Sequence, residues 1–170
     1  MKFNKIILLI IIIFCLNLNL AYSKDKISFI NLDSLIKLTN IGKAILNDID
    51  KLNKKNIEKL KIKENELKSI EDELKKKQNI ISKEEFDKEI DRLKQNIKKF
   101  QKLKNKLVSE IENKKNADLK EFFTKVNPII QNYMDNNSID ILIEQKNVFM
   151  SRNSSDITEK LVVEINKKLN

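Results

Sequence analysis

The stretch Ile80-Ile-Ser-Lys-Glu-Glu-Phe86, IISKEEF, decides how the long middle of this 170-residue chain folds. From about residue 40 to 126 the sequence is highly charged, almost free of Gly and Pro and helical in its pattern, too long for one globular helix. Ser82 followed three residues later by Glu85 is a capping box. The Ser hydroxyl accepts from a first-turn amide that lacks an intrahelical partner, and the Glu reaches back to the Ser amide. Ile81 and Phe86 flank the box as a hydrophobic staple. A helix therefore starts at residue 83. The preceding one ends near Lys75-Lys-Lys-Gln-Asn79, where cations suit a helix C-terminus. Two antiparallel arms joined by a tight tip at about 78–82 is the economical arrangement.

The second arm carries apolar residues at 86, 90, 93, 97, 100, 107 and 111, a coiled-coil seam with Lys104 as an interruption. The first arm is poorer. Leu60, Leu67, Ile70, Leu74 and Ile81 keep the beat, while Lys63 and Lys77 stand where the seam wants apolar side chains. Less buried apolar surface means easier local opening. An arm from about residue 50 to 79 projects roughly 40 Å at ~1.5 Å per residue. The phase slips between Ile111 and Leu119 and resumes at 119, 122, 126, 129 and 133, which marks where the arm meets a body. Asn127-Pro128 predicts a kink, or a restart with Asn127 as cap and Pro128 in the first turn.

Outside the hairpin, KISFINL (26–32) is a strand over about 27–32, and Asp33 or Ser34 can cap a helix beginning near Leu35. IDILIE (139–144), a polar turn at Gln145–Asn147, and VFM (148–150) predict a small β-hairpin with strands at about 139–144 and 148–151. A last helix over about 157–168 has Asp156 as N-cap and buries Ile157, Leu161, Ile165 and Leu169. The predicted fold is mostly α with a small β body: residues 24–49 and 117–170 form the body, and residues 50–116 form a long antiparallel helical hairpin projecting from it. So small a body leaves open strand edges, and association of several chains through Ile27, Phe29, Ile139, Ile141, Ile143, Val148 and Phe149 would cover them.

Residues 1–23 read as a signal peptide: Lys2 and Lys5, an apolar run from Ile6 to Leu16, and small residues at 21 and 23 that fit cleavage after Ser23. The run is short for a membrane anchor, and bulky Phe14 before Cys15 argues against lipidation there. Cleavage removes the only cysteine, and the chain has no His. The common zinc sites and the Ser-His or Cys-His nucleophile pairs are therefore unavailable. Gly42 is the only glycine, too few for a phosphate-cradling loop. No enzyme and no cofactor are expected. The full chain has 34 basic and 25 acidic residues; without Lys2 and Lys5 the balance is 32 to 25, or +7. Arg92 and Arg152 are its only arginines, which speaks against base-specific nucleic-acid reading.

The chain resembles the Skp (OmpH-like) periplasmic chaperones of Gram-negative bacteria. The resemblance rests on a leader, the strand ISFINLDSL (27–35), a charged helical hairpin, and IDILIEQKNVFMSRNSSDITEKLV (139–162), within which NSSDIT (153–158) is the most specific string. It implies a periplasmic homotrimer with a small β-rich body and three arms around a cavity, which holds unfolded outer-membrane proteins without ATP. Pro128 departs from the pattern expected in the family's descending helix.

Residues 92–106, RLKQNIKKFQKLKNK, hold seven cations and no carboxylate. Arg92, Lys99 and Lys106 recur every seven residues and Lys102 falls between, making one cationic stripe away from the apolar seam, with Lys98 beside it. They form either a solvated face or a basic inner wall that steers acidic unfolded chains while lysine stems add loose apolar contact. Two other readings stay open. One is an envelope adaptor docking through a tip that comprises Ile80, Ile81, Ser82, Glu85 and Phe86, although a staple closing the turn explains Ile81 and Phe86 as well. The other is adhesion to anionic lipid, lipopolysaccharide or nucleic acid.

Overall fold

The computed structural model describes residues 25–169, so the leader expected over residues 1–23 lies outside the described residues. The chain runs through β1 (Ile27–Ile30), α1 (Leu32–Leu38), α2 (Asn40–Lys77), α3 (Lys83–Asn136), β2 (Ile141–Glu144), two 3-10 turns (Gln145–Asn147 and Asn153–Ser155) and α4 (Thr158–Lys168). It is mostly helical, with one two-stranded sheet and a long helical hairpin.

The hairpin turns where its caps direct. Ser82 is the N-cap of α3 and its hydroxyl accepts from the Glu85 amide at 3.3 Å. Among the described residues only this half of the capping box forms. α2 ends at Lys77, with Lys75, Lys76 and Lys77 in its last turn. With 38 and 54 residues, α2 and α3 reach ~57 and ~81 Å at ~1.5 Å per residue.

α3 runs unbroken from Lys83 to Asn136, so the restart at Pro128 does not occur. Pro128 is exposed while Val126, Ile129 and Ile130 are buried. The carbonyl that loses its donor to Pro128 faces the solvent side, and burial of the opposite face holds the helix together. Beyond Ile111 the inward position is Asp118, with Leu119 half-buried beside it, followed by Phe122 and Val126.

The core lies at the base of the hairpin, where Leu35, Phe122, Val126, Leu161 and Ile165 are wholly buried and Ile30 and Ile157 nearly so. Phe122 and Phe123 meet edge to face at 5.2 Å. Of the four-residue steps predicted for the last helix, Ile157, Leu161 and Ile165 are buried and Leu169 is half-buried. The start of α4 is held by Asp156, whose Oδ1 accepts from the Thr158 amide (2.9 Å) and hydroxyl (2.6 Å), although Ile157 rather than Asp156 is the cap residue. Helix α1 starts earlier than expected, because Asn31, not Asp33 or Ser34, is its cap and accepts from the Ser34 amide at 2.8 Å. The strand before it consequently ends at Ile30, not residue 32.

The sheet corrects the predicted hairpin. β2 pairs in parallel with β1, Ile27 opposite Ile141 and Ile30 opposite Glu144. β2 starts at Ile141, so Ile139 is a core residue ahead of it. Residues 148–151 form no strand: the Val148 amide bonds back to Gln145 at 3.0 Å and turns the chain away from β2. The far side of β1 receives a single parallel bridge between Phe29 and Asp156, with the Ile157 amide donating to the Phe29 carbonyl at 3.1 Å.

Candidate functional site

The basic run is exposed along α3. Arg92, Lys98, Lys99, Lys102 and Lys106 are all exposed. Three upstream cations on this helix are neutralised locally: Lys88 pairs with Glu84, Arg92 with Glu89 and Lys94 with Asp91. Among the described residues no ion pair involves Lys98, Lys99, Lys102, Lys104 or Lys106. Arg92 is thus separated from the other four candidates, and the unpaired field starts at Lys98. Exposed ion pairs are weak and screened by salt, so the pairs upstream lower the local field more than they stabilise the helix.

The seam takes a different phase from the one its apolar residues suggest. Leu93, Asn96, Phe100 and Leu103 are half-buried and Leu107 is buried, whereas Ile97 is 41% exposed. The polar intruder in α3 is therefore Asn96, not Lys104. A spacing of three or four is satisfied by either 96 or 97 and by either 103 or 104, and the packing of α2 decides between them. Where Asn96 meets Lys63 of α2, the seam fails to close. A half-open slot of about 280 Å³ lies between the helices, lined on its apolar side by Leu67, Ile70, Phe100 and Leu103. Its polar lining is Lys63, Glu66, Asn96 and Lys99, and Lys63 bonds Glu66 at 2.6 Å. Lys99 therefore borders the seam rather than lying on a stripe away from it.

Of the predicted body residues, Phe29 and Ile139 are buried, Ile143 and Val148 are half-buried, and Ile27 and Ile141 are 50% and 45% exposed. Phe149 is fully exposed and Met150 82% exposed. A hollow of about 360 Å³ separates the loop from the sheet, lined by Ile27, Phe29, Ile143, Val148 and Met150 among others. The sequence reading missed Met150. Its adjacency to Phe149 in an apolar run was the available signal. At the tip Ile81 and Phe86 are half-buried, Ser82 and Glu85 are exposed, and Ile80 is 78% exposed.

No described helix is long and apolar enough to cross a membrane, and no described group of three or more His, Cys, Asp or Glu is placed to hold a metal ion.

The family model for OmpH-like outer membrane proteins matches residues 26–165. The comparison with curated proteins found no match. Among solved structures, an OmpH-like outer membrane chaperone from Caulobacter crescentus CB15 superposes with a TM-score of 0.75 at 15% sequence identity, covering 86% of this chain and 87% of that one. The likeness is one of fold: a helical hairpin on a small sheet-containing base.

Proposed function

The chain belongs to the OmpH-like outer membrane protein family, and from that premise we propose that it is an ATP-independent periplasmic holdase that captures unfolded outer-membrane proteins. The observation that carries the reading is the run of five lysines from Lys98 to Lys106, exposed and without an ion pair among the described residues, on an arm whose outer faces have nothing packed on them. Such a surface attracts acidic chains at long range, and lysine stems and the open seam offer loose apolar contact without a rigid pocket. No catalysis and no cofactor take part. Release follows when the client folds into the membrane and leaves the equilibrium.

Assembly belongs to the same proposal. Among the described residues β2 has no partner on its outer edge, and Phe149 and Met150 are exposed; further copies of the chain would cover both. Three chains, with three arms around a shared space, is the arrangement we propose. Contact of the lysine run with anionic lipid or lipopolysaccharide is expected to be transient and salt-sensitive.

The test is suppression of aggregation of an unfolded acidic outer-membrane protein, together with the mass of the intact assembly. Suppression by a three-chain particle, falling steeply as salt rises, supports the reading; failure at low salt abandons it. The exposed Ile80 favours a second reading, an envelope adaptor docking through the tip. It predicts that shortening the tip abolishes function while aggregation suppression survives.

A further inference from the structure

We infer that the slot between α2 and α3 is a docking site for one aromatic side chain of an extended, acidic, unfolded segment. This deepens the holdase reading and rests on it.

The slot arises from two polar residues at seam positions. Lys63 and Asn96 stand where knobs should fill holes, and their absence from the packing leaves Leu67, Phe100 and Leu103 half-covered and Ile70 38% exposed. Its volume of about 280 Å³ is too small for a helix or a folded domain. It is large enough for a single ring, since cavities of ~150 Å³ lined by Leu, Ile and Phe admit benzene. Phe100 supplies an aromatic partner for edge or offset contact.

Charge identifies the rest of the occupant. Glu66 is engaged by Lys63, while Lys99 has no ion pair among the described residues, so the slot's lining carries a net positive charge. A cationic guest would meet Lys99 and a Glu66 already occupied by Lys63, whereas a carboxylate beside the inserted ring finds Lys99. A basic arm without an apolar hole would hold acidic chains by charge alone and lose them in salt. With the slot, each capture also has a component that salt does not screen.

The experiment uses the purified protein and two short unstructured peptides rich in Asp and Glu, one with phenylalanine and its twin with serine in each phenylalanine's place. The phenylalanine peptide is expected to bind about tenfold more tightly, the equivalent of burying part of one ring. It is also expected to shift the methyl NMR signals of Leu67, Ile70 and Leu103. Asn96→Leu and Leu67→Phe, which fill the slot, should raise the melting temperature and remove the difference between the peptides. Equal binding of the two peptides to the unmodified protein, undiminished discrimination by the filled variants, or the same methyl shifts on raising protein concentration alone would overturn the inference. Separately, an unfolded outer-membrane protein is presented to both forms. If neither keeps it soluble, the holdase reading fails and the peptide result still decides the slot.

Discussion

Lys114 donates to Asp118 one turn further along α3, with 2.6 Å between Nζ and Oδ1, at the junction where the hairpin enters the body. Asp118 is buried there and its other oxygen has no partner. That hydrogen bond, more than any other influence, holds the Lys114 ammonium above the ordinary lysine range. The charges of Asp118, Asp48 and Glu121 act in the same direction and desolvation opposes them. A cation bound more tightly to its proton in the folded state stabilises fully below the unfolded lysine value of ~10.4 and loses that contribution as pH rises through the folded value. Asp118→Asn should therefore lower the melting temperature at neutral pH, and the gap to the parent should narrow as melts are taken past the lysine range. A gap independent of pH would assign Asp118 a packing role only.

Asn56 is 3% exposed and neither its amide oxygen nor its nitrogen has a partner. Continuing the register that sets Lys63 near Phe100 and Leu103 places it across from Leu107, itself buried. Asn56→Leu removes two unsatisfied polar atoms and should stabilise the protein by about 1–3 kcal/mol, read as a higher denaturant midpoint. A lower midpoint would mean that the amide is satisfied in solution.

Gly42 lies in the first turn of α2 beneath α1. A Cβ there would stand 1.9 Å from the Ile36 carbonyl oxygen and 2.8 Å from Thr39 Oγ1, and Thr39 is the cap that accepts from the Gly42 amide. The carbonyl belongs to backbone and cannot rotate aside. Gly42→Ala should cost about 1–3 kcal/mol or more despite alanine's better helix propensity. Urea unfolding checks it, and an unchanged midpoint would show that α1 shifts freely.

Phe149 touches nothing in the single chain, being fully exposed. In a monomer Phe149→Asp would change stability by at most about 0.5 kcal/mol. Under the proposed assembly it should dissociate the particle into single chains of unchanged helical content, seen by sedimentation. An intact assembly would remove Phe149 from the interface.

Replacing Lys98, Lys99, Lys102 and Lys106 together by Glu reverses the sign of the arm's unpaired field. Capture of an acidic unfolded client at low salt should slow by roughly tenfold or more, with assembly mass and helicity retained. A capture rate equal to the parent's would leave the run as a solvated face.

The lack of ion pairs at Lys98, Lys99, Lys102 and Lys104 was legible because no carboxylate stands three or four residues from any of them along α3, whereas Lys106 has Glu110 within that reach. The slot was not legible, since it depends on which of two adjacent residues in α3 faces Lys63. Lys63 itself was visible as a gap in the seam. Asn96 was hidden by Ile97, an apolar residue with an equal claim to the spacing.

By itself, the sequence determined the helical hairpin and the last helix: Ser82 starting α3, the lysines ending α2, and the four-residue steps from Ile157 through Leu161 and Ile165. These signals act over a few residues, where caps and periodicity operate without help. Tertiary structure alone decided that β2 joins β1 in parallel across more than a hundred residues, that α3 passes through Pro128, and that Asn96 rather than Ile97 enters the seam. Each of those outcomes is a competition between surfaces far apart in the chain, and the winner depends on the burial that the partner makes available.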